Sequence, residues 1–323
     1  MRSLVLETAG RLRLVEKPRP VPNPGETVLR VSHCSVCRTD AKAWSKGHRD
    51  LALPRVLGHE IAGIEEETGD RFVVWPGRAC GVCPACAGGH ENRCPRMSIV
   101  GFHRDGGFAD CLTVPKSSLI PIPPSLPGHL ACLAEPLACT LNALESACAS
   151  PGQSVLILGA GAVGLMMAMA VRAMGGISFI EEENPQKFAK SEQFRKAVGI
   201  STFVGSNAPE MDIVVNAAPS FDTFIEGLRR LRSGGCFCHF SAFVDDSAAP
   251  IPHLNEIHYR ELRMAGAYGC TGRQTADALR LLDGFREQAG LLIEEIIRLE
   301  RVPSVLPAVL TGQPLKFVVD LLN

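Results

Sequence analysis

The chain has 323 residues, 46% of them hydrophobic and 21% charged, with a formal net charge of −1 at pH 7. This composition is typical of a globular protein of about two domains, and its scattered Lys and Arg residues exclude nucleic acid as a partner. The longest apolar stretch, residues 155–180, is interrupted by five glycines and by Arg172. We therefore expect a turn and a helix there, and no membrane partner.

The first 130 residues are predicted to be rich in short β-strands. Apolar runs separated by turn residues lie at 4–6, 12–15, 27–31 and 108–114. The N-terminal segment MRSLVLETAGRLRL carries charges where the apolar core of a secretion signal would lie. We therefore expect a cytoplasmic protein whose thiols are reduced.

Four cysteines lie close together in the pattern C-x2-C-x2-C-x7-C: Cys80, Cys83, Cys86 and Cys94. Four thiolates at such spacings can surround one zinc ion, which then fixes a loop that has little core of its own. Disulfides are a poorer explanation in a reducing compartment. An iron–sulfur cluster is the second alternative because Pro95 follows the last cysteine, but ferredoxins have three residues before that cysteine, not seven. The pattern predicts a structural zinc lobe over residues 78–96.

After residue 130 the pattern changes to alternating strands and helices, which predicts a doubly wound parallel sheet. Residues 134–149 are predicted to form a helix that leads into it. The strand candidates lie at residues 155–158, 177–180, 213–216, 236–240 and 263–267. Residues 274–286 are predicted to be helical. Residues 293–322 are expected to form short mixed elements that pack back on the first domain.

A glycine-rich turn follows the first of these strands and opens a helix. It comprises Gly159, Gly161, Ala162, Val163 and Gly164 in the pattern G-x-G-x-x-G. The first glycine permits the tight turn, the second lets a diphosphate approach the backbone, and the third lets helix and strand pack closely. The free N–H groups at the start of the helix are suited to bind phosphates. This context predicts a dinucleotide-binding site.

An acidic segment ends the next strand, about twenty residues further on. It contains Glu181, Glu182 and Glu183, and by its position Glu182 is expected to accept hydrogen bonds from the ribose hydroxyls. Three carboxylates would repel a 2′-phosphate, which favours NAD over NADP. The alternative interpretation is an ordinary glycine turn followed by a solvated acidic helix start.

A second set of metal-binding side chains lies apart from the cysteine cluster. It consists of Cys37, His59, Glu60 and Glu135. A catalytic zinc needs about three protein ligands and an open position, and a thiolate, an imidazole and a carboxylate would neutralise its charge. Singly, each residue is more often structural. Combined with the cysteine cluster and the glycine turn, they predict a catalytic centre at which Thr39 carries the proton of the reacting hydroxyl outward.

Together these motifs resemble those of the medium-chain, zinc-dependent alcohol dehydrogenases over nearly the whole chain. The matching segments are Cys37-x-Thr39-Asp40, Gly58-His59-Glu60, the four-cysteine lobe, Glu135-Pro136-Leu137-Ala138, the glycine turn and Gly266-Ala267-Tyr268-Gly269. The resemblance implies an α/β protein in which a Rossmann doubly wound sheet, residues 136–269, is inserted in a β-rich GroES-like catalytic domain, residues 1–135 and 270–323. It also implies a homodimer or homotetramer with two zinc ions per chain, one catalytic and one structural.

The same resemblance implies an enzyme that transfers a hydride between a secondary alcohol and NAD. The expected substrate is a polyol, sugar alcohol, cyclitol or hydroxy-amino acid. The reason is that the segment E-P-L-A, with Glu135, resembles the corresponding segment of the polyol and threonine dehydrogenase branch. In relatives the two carboxylates can exchange at zinc, so Glu60 and Glu135 are both candidates, with Cys132 and Cys139 as alternatives. Lys42 stands where many relatives have a relay histidine. A biosynthetic aminocyclitol or ketone dehydrogenase, or a non-catalytic member that keeps the fold for binding, remains the alternative.

Overall fold

The computed structural model describes residues 1–202, 210–243 and 254–322. The chain divides into two compact units. The β-rich unit comprises Met1–Ala138 and Cys270–Asn323, and the parallel-sheet unit comprises Cys139–Gly269. The first junction therefore falls after Ala138, inside a helix, whereas the motif pattern puts it after residue 135.

The elements follow one another along three stretches of the chain. In the first stretch they are β1 (Arg2–Thr8), β2 (Arg11–Glu16), β3 (Glu26–Ser35), α1 (Arg38–Lys46), β4 (Arg55–Val56), β5 (Glu60–Glu65), β6 (Arg71–Val74), β7 (Gly77–Arg78), α2 (Pro84–Ala87), β8 (Ser98–Ile99), β9 (Cys111–Pro115), β10 (Leu119–Pro121), α3 (Gly128–Ala131) and α4 (Ala134–Ser146). In the second they are β11 (Ser154–Leu158), α5 (Ala162–Ala173), β12 (Ile177–Glu181), α6 (Pro185–Lys190), α7 (Glu192–Val198), β13 (Met211–Asn216), α8 (Phe221–Arg230), β14 (Leu231–His239), α9 (Leu254–Tyr259) and β15 (Arg263–Gly266). In the third they are α10 (Gly272–Gly284), α11 (Arg286–Gly290), β16 (Ile293–Arg298), α12 (Val302–Thr311) and β17 (Lys316–Asp320).

The β-rich unit is built around one long mixed sheet. Its strands run in the order β10-β6-β5-β3-β17-β16, and β9 also pairs with β3. Strand β17, from the end of the chain, pairs antiparallel with β3, which confirms that the C-terminal residues pack back on the first domain. The core beneath this sheet includes Leu29, Val31, Phe108, Leu306 and Val319, all of them fully buried. Strands β5 and β17 flank β3, so their first residues are brought to the same end of the sheet.

The parallel-sheet unit has the strand order β12-β11-β13-β14-β15, and every pair in it is parallel. This confirms the predicted doubly wound sheet. The central strand β11 is buried over Val155–Leu158 because helices cover both faces of such sheets. The strand order reverses at β11, and in open parallel sheets ligands bind at the carboxyl ends of the strands at such a point. The glycine turn lies at that end of β11.

Strand β14 begins earlier than the sequence indicates. It starts at Leu231, which pairs with Met211, and the register then shifts before Ile213 pairs with Cys236. The intervening Ser233-Gly234-Gly235 has the composition of a turn, so only its apolar continuation from residue 236 is recognisable as a strand. Within the described ranges, no helix combines the length and apolar character needed to cross a bilayer.

Candidate functional site

The β-rich unit brings three of the predicted metal ligands together. The ligand atoms of Cys37, His59 and Glu60 all lie within 4.8 Å of one another. Cys37 caps the N-terminus of α1, where its Sγ accepts the backbone N–H of Thr39 at 3.4 Å. His59 directly precedes β5, and Glu60 begins it opposite Ser35 of β3. The start of a helix and the start of a strand therefore converge on one point.

A buried carboxylate fixes the relative positions of Cys37 and His59. Asp40, which is 1% exposed, accepts the backbone N–H of Cys37 at 2.9 Å and that of Gly58 at 3.2 Å. Its Oδ1 also lies 3.4 Å from Nδ1 of His59. Burial lowers the pKa of His59, but the charges of Asp40 and Cys37 outweigh burial and raise it well above its ordinary value. A carboxylate beside one ring nitrogen is the usual arrangement for a metal-binding histidine.

Glu60 is engaged by a buried lysine. Nζ of Lys316 lies 2.5 Å from Oε1 and 2.6 Å from Oε2 of Glu60, and the two side chains are 5% and 0% exposed. The hydroxyl of Ser35 also donates to Glu60. Burial lowers the pKa of Lys316, but the carboxylate of Glu60 more than offsets this, so the net shift is upward. The charge of Glu60 is therefore compensated inside the protein.

The other candidate ligands are not members of this trio. Glu135, in the first turn of α4, has its ligand atom within 4.8 Å of the sulfur of Cys270, and its charge acts on Lys316. Cys139 follows Glu135 by one turn of the same helix. Cys132 donates its thiol to the carbonyl oxygen of His129 at 3.3 Å. Burial raises the pKa of Cys132 to about 12, so its thiol is protonated near neutral pH.

Two further predicted residues lie on α1. Oγ1 of Thr39 is 3.5 Å from Sγ of Cys37, so the hydroxyl is adjacent to the trio. Lys42 lies one turn after Arg38 and is half-buried. Burial, and then the neighbouring cation of Arg38, lower the pKa of Lys42. Thiolate, imidazole and carboxylate donors are ligand types that zinc prefers, so the trio of the half-buried Cys37 and the buried His59 and Glu60 fits a zinc ion chemically.

The four-cysteine lobe also brings its sulfurs together. The Sγ atoms of Cys80, Cys83, Cys86 and Cys94 all lie within 4.8 Å of one another, and all four residues are free cysteines. The backbone N–H of Val82 and other donors lower the pKa of Cys80 to about 5. Burial and the neighbouring sulfurs raise the pKa of Cys86 to about 12. Four sulfurs this close cannot all ionise without a cation among them, and zinc would supply that charge.

The parallel-sheet unit carries the glycine turn in the predicted context. Gly159 has a φ angle of +123°, which residues other than glycine rarely adopt. A Cβ at Gly164 would lie 2.0 Å from the carbonyl oxygen of Gly159, so the helix start and the turn require glycine at this contact. Gly161 is the N-cap of α5 and has open space where its Cβ would be. Ala162 and Val163 form the first turn of α5 behind it.

Glu182 is tied to the same turn. Its carboxylate accepts the backbone N–H groups of Ala160 and Asn184, each at 3.0 Å, and lies 2.8 Å from Nζ of Lys187. Burial raises the pKa of Glu182, but Lys187 and the two backbone donors outweigh burial and lower it. The carboxylate is therefore ionised and rigidly placed beside the glycine turn.

A cavity of about 410 Å³ lies next to Glu182, and we call it the Glu182 cavity. Its lining includes Gly159, Glu181, Glu182, Glu226 and Arg230.

Sequence analysis did not find Lys187, Glu226, Arg230 or, in the β-rich unit, Ser35 and Lys316. Lys187 carries a weak signal because it lies one helical turn beyond the acidic segment. The other four carry none, because their partners are distant in sequence or their type is ordinary for their element.

Comparisons with known proteins agree on one type of enzyme. The profile of the alcohol dehydrogenase GroES-like domain matches residues 23–124. An L-galactonate-5-dehydrogenase of Escherichia coli K12 is 30% identical over 293 residues, which cover 83% of this chain and 84% of that protein. A D-altritol 5-dehydrogenase of Agrobacterium fabrum is 29% identical over 321 residues, covering 94% of each chain.

A solved structure extends the match to the whole fold. It is described as a zinc-binding dehydrogenase of Sinorhizobium meliloti 1021 bound to NADP. It superposes with a TM-score of 0.88 at 26% sequence identity and covers 99% of this chain and 98% of that chain. The similarity therefore includes both the β-rich unit and the parallel-sheet unit.

Proposed function

Because this chain belongs to the medium-chain, zinc-dependent alcohol dehydrogenases, in their polyol branch, we propose that it oxidises a secondary alcohol of a polyol or sugar acid with NAD. The family establishes an oxidoreductase that uses zinc and a nicotinamide cofactor. The names of the two relatives refer to oxidation at carbon 5 of a six-carbon polyhydroxy compound, which is a secondary position. The substrate class proposed here follows from those names.

The convergence of Cys37, His59 and Glu60 within 4.8 Å carries the proposal. A zinc ion held by this site would supply Lewis acidity, which would lower the pKa of an alcohol and so prepare it to lose a hydride. Asp40 helps to hold the trio in place, because it accepts the backbone N–H of Cys37 and lies beside the ring of His59. Such pre-organisation of ligands is what a catalytic metal site requires.

We propose that Cys37 and His59 hold the zinc with Glu135 as the second anionic ligand, and that Glu60, the third member of the trio, is the carboxylate that can exchange with Glu135. The reason is charge. Glu60 is already paired with Lys316, so among the trio only the thiolate of Cys37 brings an uncompensated negative charge. A second carboxylate from Glu135 would complete the neutralisation of a divalent ion.

Thr39 is proposed to hold the proton of the substrate hydroxyl. Its hydroxyl lies beside the trio, 3.5 Å from Sγ of Cys37, and a hydroxyl can accept one proton while donating its own. The proton leaves along α1, where Lys42 stands in place of a relay histidine. Replacement of Thr39 by valine keeps the side-chain shape and removes this function.

Glu182 supports NAD as the natural cofactor. Its carboxylate is ionised and held against the glycine turn by Ala160, Asn184 and Lys187. In that position it would accept hydrogen bonds from the ribose hydroxyls of NAD and repel the 2′-phosphate of NADP. We also propose a second, structural zinc in the cysteine lobe and a cytoplasmic homodimer or homotetramer.

The test is NADH formation on a panel of polyols, sugar acids and amino alcohols, with and without a chelator. We expect turnover of at least one secondary alcohol, its loss on metal removal, and its loss in C37S with NADH binding retained. Metal analysis should give two zinc ions per wild-type chain and one in C37S. A chelated protein that still reduces NAD at the full rate would contradict the proposal.

A further inference from the structure

Besides Glu182, the lining of the Glu182 cavity includes a cationic side chain that is already paired with carboxylates. Arg230, the last residue of α8, lines this cavity together with Glu181 and Glu226. Its Nη2 lies 3.0 Å from Oε1 of Glu181, and its Nε lies 2.7 Å from Oε1 of Glu226. The guanidinium is thus held between two carboxylates from different elements, one at the end of β12 and one on its own helix.

A guanidinium in this position has a second chemical use. Arginine presents a planar fork of N–H donors that matches a phosphate, and it is the side chain most often used to bind one. The phosphate that could reach this cavity is the 2′-phosphate of NADP, because the ribose that carries it is the group that Glu182 is placed to bind. Arg230 could donate to that phosphate only if at least one of its two carboxylate partners released its N–H groups.

The two carboxylate partners of Arg230 differ in their exposure to solvent. Glu181 ends β12, and its side chain is 28% exposed. Glu226 is 43% exposed and pairs with Arg230 one helical turn away. Exposed pairs of this kind stabilise a helix only slightly. Loss of the carboxylate of Glu226 should therefore change the availability of Arg230 much more than the stability of the protein.

We propose that Glu226 is a second determinant of cofactor choice, which with Glu181 keeps Arg230 engaged and so denies NADP a partner for its 2′-phosphate. Glu182 acts directly on the ribose, and Glu226 acts through Arg230 as a positioning residue. The inference rests on the proposed function in one respect, namely that the Glu182 cavity takes the adenosine ribose of a nicotinamide dinucleotide.

The experiment measures the affinities of NADH and NADPH by fluorescence titration of the purified protein, with no alcohol present. In E226Q we expect NADPH to bind about tenfold more tightly, because Arg230 gains a charge-assisted contact with the 2′-phosphate. The affinity for NADH should change by less than about twofold, since NADH has no such phosphate.

The matched control is D222N. Asp222 is an exposed carboxylate on the same helix, and it does not line the cavity. Its loss makes the same change in net charge, so NADPH affinity should rise by less than about twofold, as expected for a screened surface charge. An equal gain in D222N and E226Q would mean that bulk charge alone is responsible and would overturn the proposal.

The double variant E226Q/R230Q separates release of the arginine from removal of a negative charge. If Arg230 binds the phosphate, the gain for NADPH must disappear in the double variant while NADH affinity stays near that of R230Q. A gain that persists without Arg230, or an E226Q protein with unchanged NADPH affinity and normal NADH binding, overturns this inference alone. A wild-type protein that binds neither dinucleotide overturns it together with the proposed function.

Discussion

At the scale of single residues, the pair of Glu60 and Lys316 decides the charge next to the candidate metal site. Both side chains are almost fully buried. Each charge has lost its hydration, and its attraction to the other charge offsets that loss. The two residues are 256 positions apart in the chain. The fold brings them together because β5 and β17 both flank β3.

We predict that K316M lowers the free energy of unfolding by about 3 kcal/mol, because it leaves the carboxylate of Glu60 buried without its cation. The double variant K316M/E60Q should recover part of this loss, since it removes the unpaired charge as well. Urea unfolding at a fixed zinc concentration measures both effects. K46M is the matched control, because Lys46 is exposed on α1, and an equal loss there would contradict the explanation.

Cys132 provides a second prediction at this scale. Its buried thiol donates to the carbonyl oxygen of His129 at 3.3 Å, and Cys132 belongs to neither of the two groups of side chains that we assign to zinc. We therefore predict that C132S keeps both bound zinc ions and a turnover within about twofold of wild type. Metal analysis by mass spectrometry checks this. Loss of one zinc ion in C132S would identify Cys132 as a ligand and contradict our assignment.

Residue types at motif spacings were predictable, but their partners were not. Cys37, His59 and Glu60 could be proposed because each is a chemically distinctive type in a short motif. Lys316 could not, because a lysine at the start of an apolar strand usually marks an exposed strand end. Its role depends on a pairing between strands from opposite ends of the chain, and no local pattern encodes that pairing.

At the scale of secondary-structure elements, the turn from β11 to α5 does the most to shape the cofactor site. Two of its positions need glycine for different physical reasons. Gly164 lies against the carbonyl oxygen of Gly159, whereas Gly161 faces open space. The first is therefore required by the protein itself, and the second leaves room for a ligand.

This difference predicts opposite behaviour for two alanine substitutions. G164A should lower the free energy of unfolding by about 2 kcal/mol, because its Cβ has no room. G161A should cost less than about 1 kcal/mol, because its backbone angles suit alanine, but should weaken NADH binding by about tenfold by blocking the diphosphate. Thermal unfolding and fluorescence titration measure the two effects, and a stable G164A that binds NADH normally would refute the first.

Elements with strong local signals agreed with the sequence. Strands β11 and β12 and helix α5 each combine a clear apolar pattern with a turn or acidic boundary. The early start of β14 was missed because Ser233, Gly234 and Gly235 resemble a turn, and only pairing with β13 makes them part of a strand. Long-range pairing overrides local propensity in such segments.

At the scale of the whole molecule, the two units carry different parts of the chemistry. The β-rich unit contains the trio of Cys37, His59 and Glu60 and the cysteine lobe, and the parallel-sheet unit contains the glycine turn and the Glu182 cavity. Each unit has its own core. Loss of a feature in one unit should therefore leave the ligand-binding property of the other intact.

We predict that C80S/C94S removes one zinc ion per chain and makes the segment around residues 78–96 sensitive to proteases, because little core remains to hold this loop. NADH affinity should stay within about twofold of wild type, since the glycine turn lies in the other unit. Metal analysis, limited proteolysis and NADH titration check the three parts. A double variant that keeps both zinc ions would show that the lobe is not a zinc site.

The side chain of Asp40 joins the start of α1 to the segment just before β5, and these two segments carry the trio. Asp40 accepts hydrogen bonds from the backbone on both sides and stands beside the imidazole. An asparagine in its place would turn an amide hydrogen pair toward groups that are themselves donors. Both halves of the metal pocket would then lose their alignment at once, so this exchange of one oxygen for a nitrogen should weaken zinc binding although it removes no ligand.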